Sequence, residues 1–302
     1  HAEAKSAGLP LIIGAHFHLK NPDDALAPAP SLILLAQNRN GYGNLSELIT
    51  IGRTRSEKGT YLLTPGDLAN PVQEYAHLQH MPDCLAILLP PYPGHEAQDV
   101  DRLHAQAAWM ATTFPGRAWL GLTQLHRAFD DAHRATVEEV GWQHGLPIVA
   151  LGHVCMHVRS RKPLQDTLSA TRLGKPVGAC GYGLAQNAEQ HLRARLRLAN
   201  IYSREALAET VRIARLCTFS LDELRYEYPD EVVPEGHDAT SYLRSETWIG
   251  AHRRFRQGVP AKVQAQIEYE LELIADMGYE HYFLTVYDIV RFARSQHILC
   301  QG

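Results

Sequence analysis

One stretch decides the fold class: Ser31-Leu-Ile-Leu-Leu-Ala-Gln-Asn-Arg-Asn-Gly-Tyr-Gly-Asn-Leu-Ser-Glu-Leu-Ile49. Its first five residues form a short apolar run, which is typical of a buried strand. Residues that favour turns follow between Ala36 and Gly43, and the last six residues have the apolar spacing of a helix. The stretch therefore predicts a strand, a loop and a helix in succession.

The same unit recurs on both sides of this stretch. Apolar runs predict further strands at 9–17, 85–89, 119–122 and 146–151, and helical spacing predicts helices at 100–113 and 130–144. Alternating strands and helices of these lengths are typical of an α/β domain with a parallel sheet or a barrel.

The chain becomes mainly helical after about residue 160. Helices are predicted at 200–217, with Ser203 as the N-cap, and at 260–277, with a glycine stop at Gly278. Between them, residues 226–241 hold two prolines, one glycine and five acidic residues, which indicates a linker or extended segment.

Composition is that of an ordinary globular protein. The chain has 302 residues, 45% hydrophobic and 21% charged, with a formal net charge of -4. These values disfavour a disordered chain, and no apolar run approaches the roughly 18 residues of a membrane span. The five cysteines are widely spread without a C-x-x-C pair, which argues against a disulfide framework or a zinc finger. We therefore expect a cytoplasmic protein with no membrane partner.

Both ends of the chain look unlike natural termini. The first residue is His1 rather than Met, and an apolar run leads into Gly302. We expect the chain to be an internal piece of a longer protein.

One group of candidate metal ligands follows the strand predicted at 146–151. If the segment stays extended, His153, Cys155 and His157 point to the same side. The C-terminal end of a strand is where α/β barrels place their sites, and His16 and His18 lie at the C-terminal end of the first strand. The alternative is an ordinary hydrogen-bonded loop without metal.

Two clusters of basic residues could contact phosphate or single-stranded DNA. One consists of Arg193, Arg195, Arg197 and Arg204, and the other is His252-Arg-Arg-Phe-Arg256. A solvated helical face is the favoured interpretation of each cluster. The chain contains no glycine-rich phosphate loop, and the pair Asp130-Asp131 is interpreted as acidic residues that favour the N-terminal dipole of a helix.

Four segments together resemble the error-prone, damage-tolerant branch of the C-family bacterial DNA polymerases, homologues of the polymerase III α subunit. Three are similar to parts of the PHP (polymerase and histidinol phosphatase) domain: residues 34–49, His144-Gly-Leu-Pro-Ile-Val-Ala150 and Arg161-Lys-Pro-Leu-Gln-Asp-Thr-Leu168. The fourth is similar to the entry of the polymerase palm and reads Ile267-Glu-Tyr-Glu-Leu-Glu-Leu-Ile-Ala-Asp-Met-Gly-Tyr-Glu-His-Tyr-Phe-Leu-Thr-Val-Tyr-Asp-Ile-Val290, continuing to Cys300-Gln-Gly302.

This resemblance implies a fold and a division of the chain. The expected fold is α/β: a partial PHP-type distorted (β/α)7 barrel without its first strand, then a mainly helical segment that leads into the palm. The implied domains are the PHP domain at 1–200, a helical and extended linker region at 201–259, and the truncated beginning of the palm at 260–302. The family's polymerase aspartates are expected beyond Gly302, which itself would begin a nucleotide-binding loop, so no catalytic residue is expected in this chain.

The resemblance also implies a depleted metal site in the PHP domain. His16 stands where metal-binding members have an acidic residue, and His153-Val-Cys155 stands where they have Asp-x-His. Ser31 occupies a position where some members have His. The candidate ligands for Zn²⁺ or Mn²⁺ are therefore His16, His153 and Cys155, and a structural role of this domain is favoured.

The leading hypothesis is a structural piece of an error-prone DNA polymerase that replicates DNA past lesions and contributes to damage-induced mutagenesis. The parent would use Mg²⁺, DNA and deoxynucleoside triphosphates, with a sliding clamp and mutagenesis accessory proteins as partners. One alternative is a metal-dependent PHP phosphoesterase or exonuclease acting on DNA ends. Another is a DNA-binding or protein-docking module that uses Arg253, Arg254 and Arg256.

Overall fold

The chain folds into two compact units, His1–Leu224 and Arg225–Gly302. The computed structural model describes residues 1–21, 29–92, 98–224 and 232–300. The first unit is an α/β domain and the second is helical in its described part.

One mixed sheet of five strands forms the centre of the first unit. The strands lie side by side in chain order: β1 (Gly14–His18), β2 (Ser31–Ala36), β3 (Cys84–Leu88), β4 (Ala118–Thr123) and β5 (Ile148–Leu151). β3, β4 and β5 are parallel, whereas β2 is antiparallel to both β1 and β3.

The α/β class is confirmed, but the expectation of a parallel sheet holds for only two of the four strand pairings. Ala36 at the end of β2 pairs with Cys84 at the start of β3. β3 therefore begins at the same edge of the sheet at which β2 ends, and the two strands run in opposite directions. The PHP-type barrel stays a prediction.

Eight helices accompany the sheet in the described part of the first unit. They are α1 (Ala2–Ser6), α2 (Arg39–Thr54), α3 (Pro65–Ala69), α4 (Gln98–Thr113), α5 (Asp130–His144), α6 (Lys162–Leu173), α7 (Arg195–Ala199) and α8 (Arg204–Leu216). Short 3-10 helices lie at Gln73–Leu78, Arg159–Arg161, Val177–Ala179, Gly181–Gly183 and Leu221–Glu223.

Local sequence signals account for several helix ends. The side chain of Asn38 accepts a hydrogen bond from the Gly41 N–H at the start of α2, and Ser203 caps α8 through the Ala206 N–H, as its position predicts. α5 ends at Gly145, whose φ of 65° is left-handed and therefore suits glycine.

One face of the sheet is sealed by helices, and we call it the helix-covered face. α2 packs against β1, β2 and β3, α4 against β3 and β4, and α5 against β4 and β5. Its core consists of apolar side chains, including Leu32, Leu34, Leu48, Ala86, Leu88, Phe114, Leu120 and Val137. Because alternate residues of a strand point to opposite faces, Leu85, Ile87, Trp119 and Val149 lie on the other side.

The second face is only partly covered. Ile213 of α8 packs against Trp119 and Val149, and the Trp119 indole N–H donates to Glu209 Oε2 at 2.6 Å. This packing places α8 in the first unit. The predicted linker region at 201–259 is thus shared between the two units.

The second unit contains three described helices: α9 (Ala239–Arg254), α10 (Ala261–Met277) and α11 (Glu280–Ser295). Leu243 of α9 and Leu284 of α11 are buried, and Arg244 of α9 pairs with Glu268 of α10. α10 ends at Gly278 in the left-handed region, as its sequence predicts. Of the predicted linker at 226–241, residues 226–231 lie outside the described residues. None of the helices in the described ranges has the length and apolarity that crossing a membrane requires.

Candidate functional site

A cavity of about 560 Å³ opens on the second face of the sheet, and we call this side the cavity face. The strands supply the lining residues that alternate with the buried core positions. The strand residues of the lining are His16, His18, Ser31, Ile33, Gly121, Thr123 and Leu151. Loops supply most of the remainder: Leu89, Pro90, Pro91, Tyr92, Leu125, Arg127, His153, Leu184, Ala185, Gln186, Asn187 and Gln190.

Two histidines and a serine form a hydrogen-bonded group at one side of the cavity. His18 pairs with Ser31 across β1 and β2, so the serine lies beside both imidazoles. Ser31 Oγ is 2.8 Å from His16 Nε2 and 3.1 Å from His18 Nδ1. The ring centroids of the two histidines are 4.4 Å apart. Burial, then the neighbouring His18 and His153, lowers the pKa of His16.

His153 also lines the cavity, where the charges of Arg127 and His18 both act on it. Burial is the main cause of its lowered pKa, followed by the charges of Arg127 and His18. Its backbone φ is 44°, a left-handed conformation that is uncommon outside glycine. Because the chain turns here, the extended alternation that the sequence predicted for residues 153–157 does not occur.

Arg127 is the permanent positive charge in the cavity wall. Its guanidinium carbon lies 3.3 Å from the ring centroid of Tyr92, a cation–π contact, and its Nε is 3.4 Å from Asp130 Oδ1. The side chain is only 20% exposed. The Tyr92 hydroxyl in turn accepts a hydrogen bond of 2.8 Å from the Phe129 N–H. Arg127 is therefore held in place by contacts on its face and one edge.

Asp130 has a further role besides its place in the first turn of α5. Its Oδ2 accepts hydrogen bonds from the N–H groups of Leu125, at 2.7 Å, and Arg127, at 3.2 Å. The carboxylate thus fixes the loop between β4 and α5. Asp131, its neighbour, pairs with Arg134 at the surface.

His133 of α5 is a buried histidine at the edge of the cavity. Burial, with a contribution from Arg127 that outweighs the opposing charge of Asp130, lowers its pKa to about 4. Its ring lies 5.5 Å from the Tyr92 ring, measured between centroids. It is therefore neutral at physiological pH.

Tyr202 links the C-terminal ends of β4 and β5 through hydrogen bonds. Its hydroxyl donates to the Leu151 carbonyl at 2.6 Å and accepts from the Gln124 N–H at 3.0 Å. Arg193 donates to the Gln124 carbonyl at 2.9 Å and to the Tyr202 hydroxyl at 3.3 Å. Two members of the first predicted basic cluster therefore bind other protein groups. Arg193 donates hydrogen bonds within the fold, and Arg197 pairs with Glu189.

The candidate metal ligands are only partly brought together. His16 and His153 line the cavity, whereas the exposed Cys155 does not, and its Sγ lies 3.5 Å from the His153 carbonyl. Within the described ranges, no group of three His, Cys, Asp or Glu side chains is placed to share a metal ion. None of the described cavity-lining residues is an Asp or Glu. This described donor set does not fit the Zn²⁺ or Mn²⁺ site that the resemblance implies.

The predicted DNA contacts lie in the second unit. Arg253, Arg254 and Arg256 are all exposed, at the end of α9 and just beyond it. Their role in DNA binding stays a prediction. Gly302, the candidate nucleotide contact, lies outside the described residues.

Sequence reasoning missed Arg127, Tyr92 and His133 as site residues. One signal was available for Arg127, because it follows β4 at the same edge of the sheet at which His153 follows β5. Tyr92 follows β3 in the same way. The carboxyl ends of adjacent parallel strands meet at one edge, where α/β proteins place ligands.

Known proteins similar to this chain are polymerases. Residues 241–302 match the model of the bacterial DNA polymerase III alpha NTPase domain. Over its full length the chain is 61% identical to the error-prone DNA polymerase of Bordetella parapertussis and 57% identical to that of Burkholderia mallei. The corresponding protein of Methylococcus capsulatus is 47% identical over 303 aligned residues.

The resemblance to the error-prone branch of these polymerases is therefore confirmed: the chain is homologous, over its whole length, to a segment of error-prone DNA polymerases. It spans 28% of the length of the Bordetella and Burkholderia proteins and 27% of the Methylococcus protein.

Proposed function

We propose that this chain is part of an error-prone DNA-directed DNA polymerase that copies DNA past lesions. The identity of 61% over the whole chain supports this proposal most strongly. The match of residues 241–302 to a polymerase model also supports it, because the matched residues include the segment 260–302 interpreted as the beginning of the palm.

In this proposal the chain itself is a scaffold. Residues 1–200 form a PHP-type domain without its first strand, residues 201–259 form a linker region, and residues 260–302 form the beginning of the palm. The polymerase aspartates belong to the remainder of the parent protein, where two Mg²⁺ ions would stabilise the attacking and leaving oxygens of nucleotidyl transfer. DNA and deoxynucleoside triphosphates are the proposed substrates, a sliding clamp and mutagenesis accessory proteins the proposed partners, and the cytoplasm the proposed location.

Primer extension by the complete gene product tests this proposal. With Mg²⁺ we expect extension on an undamaged template and past an abasic site, and no extension by the 302-residue chain alone. A complete product that extends neither template would contradict the polymerase assignment. Extension by the isolated chain would contradict its role as a scaffold.

We also propose that Arg253, Arg254 and Arg256 contact the DNA backbone. Each is exposed, and an aromatic residue, Phe255, lies between them. For single-stranded DNA, the logarithm of the binding constant falls linearly with the logarithm of the salt concentration, and each phosphate contact contributes roughly 0.7 to the slope. Replacement of all three by Gln should therefore make this slope shallower by about 2. Fluorescence anisotropy at several salt concentrations measures this slope.

A matched variant controls for the loss of three positive charges. Arg161, Arg172 and Lys175 are exposed in the first unit, so their replacement by Gln changes the net charge equally. Equal losses in the two triple variants would show that total charge, rather than the Arg253 cluster, determines binding.

A further inference from the structure

We propose that His104 of α4 and His144 of α5 together bind a divalent transition cation, with Zn²⁺ as the representative ion. Both residues belong to His1–Leu224 and neither lines the cavity on the cavity face. The proposal therefore depends neither on the polymerase function nor on the metal site that the resemblance implies. Three observations carry it: the distance between the two imidazoles, the packing of the helices that hold them, and the surroundings of His144.

The two imidazoles face each other through ring nitrogens. His104 Nδ1 lies 3.1 Å from His144 Nε2, so one ring donates its N–H and the other accepts. Zinc–nitrogen bonds of about 2.0–2.1 Å at a tetrahedral angle place two ligand nitrogens roughly 3.3–3.4 Å apart. The separation of the two histidine nitrogens is therefore already close to the separation that a shared Zn²⁺ requires.

Binding replaces the hydrogen that the two rings share. Neutral imidazole binds metal ions through a nitrogen lone pair. The hydrogen of the donating ring moves to the second nitrogen of the same ring, so that both facing nitrogens present lone pairs to the cation. When both rings are neutral, this exchange releases no net proton, and the hydrogen bond between the rings is replaced by two metal–nitrogen bonds.

The helices that carry the two histidines are packed together before any cation arrives. α4 and α5 contact each other as well as the sheet. Met110 of α4 and Val137 and Val140 of α5 are buried in the same core. His104 and His144 are themselves partly buried. Ligands on packed helices lose little conformational freedom on binding, which favours a site with few protein ligands.

The surroundings of His144 favour a hydrated cation. His144 is the last residue of α5, where the helix dipole places a partial negative charge. It also borders a second pocket, of about 420 Å³, which leaves room for water molecules as further ligands. Arg212 lies in the described lining of this pocket, but its charge is compensated by Glu209, 3.3 Å away. Water as a ligand agrees with the described ranges, which place no third His, Cys, Asp or Glu side chain to share the ion.

Calorimetric titration of the EDTA-treated 302-residue chain with Zn²⁺ tests the proposal. We expect saturable binding with a Kd below about 100 μM, and no comparable binding of Mg²⁺, which prefers oxygen ligands. His104→Gln and His144→Gln should each weaken Zn²⁺ binding about tenfold or more, because one of two protein ligands is lost. His77→Gln, at an exposed histidine, is the matched control and should bind Zn²⁺ as the parent chain does.

A measurement on the unaltered chain keeps the test decisive if a histidine variant does not fold. X-ray absorption of the chain loaded with one equivalent of Zn²⁺ should show two imidazole nitrogens, with oxygen atoms as the other ligands and no sulfur. Zn²⁺ in about hundredfold excess over its Kd should also raise the Tm by about 3 °C or more, because the ion binds only the folded state. His16→Gln separates this site from the histidines of the cavity face and should leave Zn²⁺ binding unchanged.

Several results would overturn the proposal. These are no saturable Zn²⁺ binding, equal affinity for Mg²⁺, full binding by a folded His104→Gln variant, and equal loss of binding in the His77→Gln control. A sulfur ligand in the absorption spectrum would place the ion on a cysteine instead, and loss of binding in His16→Gln would place it on the cavity face.

Discussion

The two faces of the central sheet are built from alternate residues of the same strands, yet they differ in what covers them. Leu34 is fully buried beneath helices, whereas its neighbour Ile33 lines an open cavity. On the helix-covered face, apolar side chains stabilise the fold. On the cavity face, His16 and His18 remain exposed to solvent and ligands. Adjacent residues of one strand therefore have different environments, a packed core for Leu34 and an open cavity for Ile33.

Truncation of these neighbours should give the largest difference between the faces. Leu34→Ala should reduce the free energy of unfolding by about 3–4 kcal/mol, because a buried leucine leaves a cavity in the packed core. Ile33→Ala should cost about 1 kcal/mol, since that side chain already borders open space. Urea denaturation measures both. Equal losses would show that the cavity face is packed as tightly as the helix-covered face.

The pH dependence of stability should expose the buried His133, which lies where α5 reaches the cavity. Its pKa is about 4 in the folded protein and about 6.5 when unfolded, so the unfolded state binds its proton first. The contribution of His133 to the free energy of unfolding is greatest above pH 6.5, declines as the pH falls from 6.5 to about 4, and is constant at lower pH. The total loss should be at most about 3 kcal/mol.

Replacement of the imidazole isolates this contribution. His133→Gln should flatten the stability profile between pH 6.5 and 4, whereas His144→Gln, at the other end of α5, serves as the control for a lost histidine. Urea midpoints at several pH values give the profile. If the parent chain and His133→Gln lose stability in parallel as the pH falls, His133 is not the group responsible.

The helix-covered face could largely be predicted from the sequence. β2, α4 and α5 lie within a residue or two of the apolar runs and helical spacing that predicted them, and α5 matches at both ends. These elements follow from local patterns, because a strand or helix that buries one side repeats its apolar residues at a fixed period. The antiparallel pairing of β2 with β3 depends on the path of a 47-residue connection, from 37 to 83, and has no such local signal.

The cavity face could be predicted only in part. His16 and His153 were identified because they lie at or just beyond the C-terminal ends of strands. Cys155 was placed beside them on the assumption of an extended chain, but the left-handed turn at His153 ends that alternation. The position of Arg127 depends on Tyr92, 35 residues earlier, and this tertiary contact leaves no periodic pattern in the sequence.

Tyr202 offers a smaller test, because it links the strand ends that carry the cavity. Tyr202→Phe removes a hydroxyl that bonds the Leu151 carbonyl and the Gln124 N–H, leaving buried backbone groups unpaired. We expect a loss of about 1–2 kcal/mol in the free energy of unfolding. Tyr182→Phe is the matched control, since that side chain is 96% exposed. A loss no larger than in the control would show that water replaces both hydrogen bonds.

Ser31→Ala should have the smallest effect on stability, although Ser31 bonds two histidines. Its hydroxyl lies between His16 and His18, and both imidazoles are exposed enough to exchange the lost bond for one to water. We expect a change in the free energy of unfolding of no more than about 0.5 kcal/mol. Thermal or urea denaturation measures it, with Thr60→Ala at an exposed turn as the control. A loss above about 1 kcal/mol would mean that this hydrogen-bonded group stabilises the fold as a buried polar network does. Both faces would then stabilise the fold, the helix-covered face by apolar packing and the cavity face by hydrogen bonds.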